Sequence, residues 1–216
     1  MTHSSMVVFD ELFASYPKLI VCREDILAAA EALIACYRRD GKLLVCGNGG
    51  SAADAGHIVG ELMKEFRVRR PVSDEVREAL RTTDPQHADY LADHLQRALP
   101  AISLVEHSAL ISAFSNDSSA DMVYAQQVYG YGKKGDVLLG LSTSGNSVNV
   151  AHAIRVARAL SLTTVGLTGG AGGAMRNICD IVICVPAIET YVVQELHLPI
   201  YHGLCAALES EFFSVV

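Results

Sequence analysis

The chain has 216 residues, half of them hydrophobic, and a formal charge of −7 at pH 7. That length and apolar content suit one substantial core in a single domain, 1–216. The acidic balance withholds the general attraction that a nucleic acid would need. No stretch reaches the roughly 18 apolar residues of a membrane span. The N-terminal MTHSSMVVFDELFASYPK lacks the basic n-region and unbroken apolar h-region of a secretory signal. A cytoplasmic protein is expected, with neither nucleic acid nor membrane as partner.

Residues 1–40 carry a long amphipathic pattern, REDILAAAEALIACYRR, which suits a helix packing on the domain or on another subunit. Beyond it come five short apolar runs rich in β-branched residues: KLLVCG (42–47), AISLV (101–105), DVLLGLS (136–142), LTTVGLT (162–168) and DIVICVP (180–186). Each run is nearly continuous rather than alternating, as in strands buried on both faces, and helical patterns separate them. An α/β fold with a parallel sheet and helices on both sides follows. The charged stretch 72–99 interrupts this rhythm and reads as a helical insertion, with helix starts at Ser73 and at Asp84-Pro85. Six cysteines lie in apolar contexts without a CxxC pair, so reduced thiols without chemistry are expected.

Two loops at strand ends carry the functional signal. The first, GNGGSAADAGHIVGE (47–61), ends a strand and opens a helix; Asn48, Gly49 and Gly50 supply flexible backbone, and Ser51 is placed to cap the helix. It is neither a Walker loop nor GxGxxG, and glycine turns between strand and helix are common for steric reasons alone. The second loop, STSGNSVNVAHAIRVARAL, puts four hydroxyls, Ser142, Thr143, Ser144 and Ser147, within six residues at another helix entrance. A capped helix needs only one of them. Surplus donors at the carboxyl ends of parallel strands point to a small phosphorylated ligand.

His57 and Glu61 follow the glycine turn at i and i+4, so both face one side of a helix and are able to grip a divalent metal together. Read separately, each has a plainer role, as a surface carboxylate and as a structural helix histidine.

Four motifs in order, GNGGSAADAGH, FSNDSSAD (114–121), STSGNS and QELHLPIYH (194–202), resemble the sugar isomerase (SIS) family and, within it, the phosphoheptose isomerases. The resemblance runs from about Ile26 to the C-terminus, interrupted by the insertion. It implies an αβα sandwich with a five-stranded parallel sheet, and N- and C-terminal helices that build a homotetramer with active sites shared between subunits. It also implies that Ser142, Thr143, Ser144 and Ser147 bind a sugar phosphate, and that Asn48, Gly49, Gly50 and Ser51 line the same pocket. Asp117 would contact substrate from a neighbouring chain, and Gln194 would contact it too.

The activity so implied is isomerisation of sedoheptulose 7-phosphate to D-glycero-D-manno-heptose 7-phosphate for surface glycans, with Glu61 as base and His202 as acid. His57, Glu61, Gln194 and His202 match the zinc ligands of metal-binding members. Gln194 and His202 are eight residues apart, about 12 Å of rise on a straight helix, which strains a single metal unless Pro199 bends the segment or a neighbouring subunit closes the gap. His197, three residues after Gln194, is a candidate for supporting the site and equally for a structural role. Two departures stand out: Glu65 replaces a basic residue common in related enzymes, with Lys64, Arg67, Arg69 and Arg70 close by, and Tyr191 replaces an Asp. The alternatives are a non-catalytic adaptor binding the replication initiator DnaA and a sugar-phosphate sensor. Retention of Glu61, Gln194 and His202 counts against both.

Overall fold

A computed structural model describes residues 1–213. The five apolar runs become five parallel strands, β1 (Leu43–Cys46), β2 (Ala101–Ser103), β3 (Val137–Ser142), β4 (Thr163–Gly169) and β5 (Ile181–Val185). Their spatial order is β2-β1-β3-β4-β5. β1 therefore has β2 on one side and β3 on the other, and the chain reverses its winding direction at the β1/β3 boundary. Such a switch point, beyond the carboxyl ends of the strands, is the place where open α/β sheets bind ligands. Both signal-bearing loops flank it.

Alternation along each strand sends side chains into two cores. Leu43 and Val45 of β1, with Val137, Leu139 and Leu141 of β3, join one; Leu44, Cys46 and Leu138 join the other. The first core is covered by α1 (His3–Ser15), α2 (Arg23–Tyr37), α3 (Gly50–Met63) and the long C-terminal helix α9 (Thr190–Phe213). The second is covered by α7 (Val123–Tyr131) and α8 (Val148–Ala159), with Ile111 and Phe114 of α6 (Ser108–Asp117) at its margin. Residues 1–40 are two α-helices joined by a 3-10 segment, Pro17–Cys22. Proline at the first position of that segment lacks the N–H that would extend α1.

The insertion folds as a helical hairpin, α4 (Asp74–Thr83) and α5 (Ala88–His94). Ser73 caps α4 by accepting the Val76 N–H, and the Asp84 side chain accepts the His87 N–H in the turn. No residue of α4 is buried. Arg77 pairs with Asp93 at 2.7 Å and Arg81 with Asp89 at 3.2 Å, so charge holds the two helices to each other. An antiparallel bridge between Pro71 and Gln96 closes the base of this arm.

A buried ion pair ties the end of α3 to α9. Glu209 receives the backbone N–H groups of Phe66, Arg67 and Val68, and Arg70 Nε donates to it at 2.7 Å. Arg70 also donates to the carbonyls of Leu62 and Glu61, satisfying the last turn of α3. Glu61 thus stands on a helix whose far end is locked.

Candidate active site

The glycine turn leaves β1 at Cys46 and enters α3 at Gly50, with Gly49 in the left-handed region at φ +58°. Ser51 does not cap α3. The N-cap position belongs to Gly49, which has no side chain to offer, and Ser51 is buried inside the first turn with its N–H donated to the Asn48 carbonyl. The sequence expectation failed because the helix begins two residues earlier than a serine cap requires. Its consequence is a helix N-terminus without a side-chain cap, open to an anion. Gly50 packs closely on α9: a Cβ there would displace the amide end of the Gln194 side chain.

The serine loop is built alike. Ser147 occupies the N-cap position of α8, yet its hydroxyl makes no capping bond and meets the Ser142 hydroxyl at 2.9 Å instead. Asn146 donates its N–H to Ser144 Oγ and accepts the Ala174 N–H, while the Thr143 carbonyl accepts from Gly169 N–H. Gly145 has φ +69° and backs directly onto the Gly172 carbonyl, so the loop is pinned to the turn after β4. Asn48 and Asn149 exchange two amide hydrogen bonds, each 2.9 Å, and Tyr124 Oη donates to the Gly47 carbonyl at 2.6 Å. Two helix N-termini, neither capped by a side chain, are therefore joined through Asn48 and Asn149 at the switch point, with the positive ends of their dipoles on the same side of the sheet.

Two turns along α3, His57 Nε2 lies 3.2 Å from Glu61 Oε1, and Lys64 Nζ donates to Glu61 Oε2 at 3.2 Å. His57 Nδ1 lies 3.1 Å from Tyr201 Oη, which in turn donates to Asp54 Oδ1 at 3.2 Å. The His202 ring stacks edge-on to that of His57, centroids 4.9 Å apart, and its Nε2 is buried without a hydrogen bond among the described residues. Burial, followed by the neighbouring His57, lowers the His202 pKa, with Glu61 opposing. This histidine is therefore a neutral imidazole at neutral pH, able to donate an N–H.

Comparison with known proteins shows the family. The SIS domain model matches residues 21–97 and 90–169. A phosphoheptose isomerase of Pelobacter propionicus is 39% identical over 185 residues, covering 86% of this chain and 84% of that relative. Another, from a Roseiflexus species, is 38% identical over 188 residues, covering 87% and 82%. The solved structure of a phosphoheptose isomerase from Francisella tularensis superposes with a TM-score of 0.73 at 31% identity, covering 97% of this chain and 100% of that one. The chain belongs to the phosphoheptose isomerase family of SIS-domain proteins.

This member of the phosphoheptose isomerase family gathers some of its expected site residues in one chain and not others. Asn48 and the serine loop meet at the crevice; His57, Glu61 and His202 cluster along α3 and α9. Gln194 lies at the first turn of α3 beside Gly50, because α9 continues as one helix through Pro199 and keeps Gln194 and His202 about 12 Å apart in rise. Among the described residues, no group of three or more His, Cys, Asp or Glu side chains stands arranged to hold a metal. His57 and Glu61 offer a zinc ion two donors, so one chain does not close a four-ligand site. Asp117 is exposed at the end of α6, bonded only to its neighbour Asn116 among the hydrogen bonds described. Tyr191 is also exposed. Of the basic residues near Glu65, Arg70 is consumed by Glu209 and Lys64 sits on Glu61. All six cysteines are free thiols, four of them buried. No described helix is long and apolar enough to cross a membrane.

Sequence reading missed Asn149, Tyr124, Asp54 and Tyr201. Asn149 lay in plain view two residues after Ser147, and Tyr201 beside His202. Neither residue type at those spacings carries a chemical signature of its own.

Proposed function

We propose that the chain is an isomerase that converts sedoheptulose 7-phosphate to D-glycero-D-manno-heptose 7-phosphate for heptose and surface glycan biosynthesis. The observation that carries this reading is the pairing of an anion crevice, built from two helix N-termini lacking side-chain caps, with the Glu61–His57–His202 cluster on the adjoining helices. The terminal phosphate would occupy the crevice, against Ser142, Thr143, Ser144, Ser147 and the Asn48–Ser51 turn.

Glu61 takes the proton from C1 of the open-chain ketose. The C–H electron pair becomes the C1=C2 double bond, and the carbonyl oxygen on C2 gains the negative charge. Neutral His202 donates its N–H to that oxygen, as a neutral imidazole does at a developing enediolate. Loss of the proton from the C1 hydroxyl and return of a proton to C2 then give the C1 aldehyde, with no net change in composition. Zinc held by His57 and Glu61 would polarise the carbonyl oxygen; no proton step above runs through it.

A homotetramer with shared sites suits the surface of one chain. Asp117 and Tyr191 are exposed, and so are Ile188, Val21 and Ile20, large apolar groups that a partner would cover. Incubating the purified protein with sedoheptulose 7-phosphate and following the C1 aldehyde by NMR, with and without chelator, tests the reading. No product in either arm would sink it. Tight binding of DnaA in its place would support the adaptor reading.

A further inference from the structure

Two peptide planes at the switch point are held from behind by a hydrogen bond on the carbonyl. The described residues contain no cis peptide bond, so in each plane the C=O and the N–H of the next residue point in opposite directions. Whatever holds the carbonyl therefore aims the N–H.

In the serine loop the Thr143 carbonyl accepts the Gly169 N–H of β4 at 3.0 Å. β3 lies between β4 and β1, so the Ser144 N–H in the same plane points away from β4, across the β1/β3 boundary. In the glycine turn the Gly47 carbonyl accepts the Tyr124 Oη proton at 2.6 Å, and Tyr124 belongs to α7, on the second core. The Asn48 N–H is thereby turned away from α7, toward the sheet face that carries α3. Asn48 and Ser144 are both exposed, and neither N–H donates to an acceptor among the hydrogen bonds described. Two donors are thus left for an anion at the switch point.

The holding donor is backbone in the serine loop and a side chain in the glycine turn. A phenol has one proton. It lies on the 2.6 Å contact, with Asn48 Oδ1, 3.3 Å away, on the long arm of the same three-centre bond. Asn48 Oδ1 is already satisfied by Asn149 Nδ2 at 2.9 Å. Burial, followed by the neighbouring Cys46, pushes the phenol up to about 12, so it remains a donor at neutral pH. Gly47 has no side chain to resist rotation of its peptide plane. Without the phenol, its carbonyl is free to swing round and turn an oxygen toward the anion.

We infer that Tyr124 is a positioning residue: by holding the Gly47 carbonyl, its hydroxyl aims the Asn48 N–H at the substrate phosphate. This rests on the phosphate lying between the two loops. The Tyr124 side chain is buried and acts through the turn.

The test follows the backbone amides of the full chain, labelled with 15N, during titration with inorganic phosphate. In the wild type the Asn48 and Ser144 N–H protons are expected to move downfield together as phosphate binds. In Tyr124→Phe, which removes only the hydroxyl, the Ser144 shift should remain and the Asn48 shift should vanish. Phosphate affinity should fall roughly 10–100-fold, the scale of one hydrogen bond to a charged group. KM for sedoheptulose 7-phosphate should rise with it, while kcat changes much less. Loss of both amide responses in the variant would mark a merely structural hydroxyl and overturn the inference, as would retention of both at wild-type affinity. A wild-type titration in which Ser144 responds and Asn48 does not overturns it without any variant. If neither amide responds in the wild type, the phosphate site is misplaced and the inference falls with it. Amide responses as expected, without turnover of sedoheptulose 7-phosphate, sink the isomerase reading and leave the role of Tyr124 standing.

Discussion

Asn48 and Asn149 are hydrogen-bonded twice, amide to amide, with each nitrogen donating to the other's oxygen at 2.9 Å. One residue belongs to the turn after β1 and the other to the first turn of α8, so this pair holds two phosphate-facing loops at one separation. Asn149→Ala removes both bonds and leaves Asn48 held by Tyr124 alone among the described contacts. At about 1 kcal/mol for each neutral hydrogen bond, the two together correspond to a drop of roughly 30-fold in affinity for the phosphorylated sugar, with kcat changed much less. Calorimetric titration with inorganic phosphate and with substrate checks this, and unchanged affinity for both would show that the loops hold their spacing unaided.

Glu61→Gln keeps the size of the side chain and removes the base. Turnover should fall by 10²-fold or more, within the roughly 10²–10⁴-fold range of a lost general base. Phosphate affinity should hold, because Glu61 lies two to three turns along α3 from the crevice. Exchange of the C1 proton with deuterated solvent gives a direct reading. Persistent exchange in the variant would move the base elsewhere.

Much of the fold was legible because each strand is buried on both faces and reads as an unbroken apolar run, and the structure moves those bounds by at most two residues. The insertion was legible because its charges and its Ser73 cap stand out between two prolines. The site was legible where chemistry is local: the four hydroxyls of residues 142–147, and His57 with Glu61 at helical spacing. What could not be read depends on distant partners. Ser51 looked like a cap because the sequence does not mark whether a helix starts at residue 50 or 52. Gln194 looked like a companion of His202, and only the unbroken course of α9 through Pro199 places it at Gly50 instead. The Asp54–Tyr201 contact spans 147 residues, beyond any local pattern.

Glu209 and Arg70 form a pair that is almost wholly shielded from water, with side-chain exposures of 1% and 0%. Glu209 also satisfies three backbone N–H groups of the segment that follows α3. Glu209→Ala strands a buried guanidinium and those three donors, and should cost about 3–5 kcal/mol, the scale for breaking a buried pair from one side. Urea unfolding followed by circular dichroism measures it. Because Arg70 also donates to the Glu61 carbonyl, any folded variant should lose activity beyond its loss of stability. A shift of under 1 kcal/mol would mean that water replaces the pair.

His197 lies fully buried on α9, near the Thr168 backbone but with neither ring nitrogen at hydrogen-bond geometry among the described residues. Burial lowers its pKa from 6.5 to about 4. In the unfolded chain the ring binds a proton near its ordinary value, so between pH 6.5 and about 4 the unfolded state carries more bound proton than the folded one. Stability from this residue is therefore full above pH 6.5 and declines as pH falls through that window. The displacement corresponds to a loss on the order of 3 kcal/mol by pH 4. His197→Leu, of similar volume and without a titrating ring, should keep its stability at pH 7 to within about 1.5 kcal/mol and flatten the acid limb of the curve. Urea midpoints for both proteins at pH 7, 6, 5 and 4 decide the matter. Parallel curves would assign the acid sensitivity to other groups, whereas a gap that widens toward low pH in favour of the leucine variant locates it in this ring.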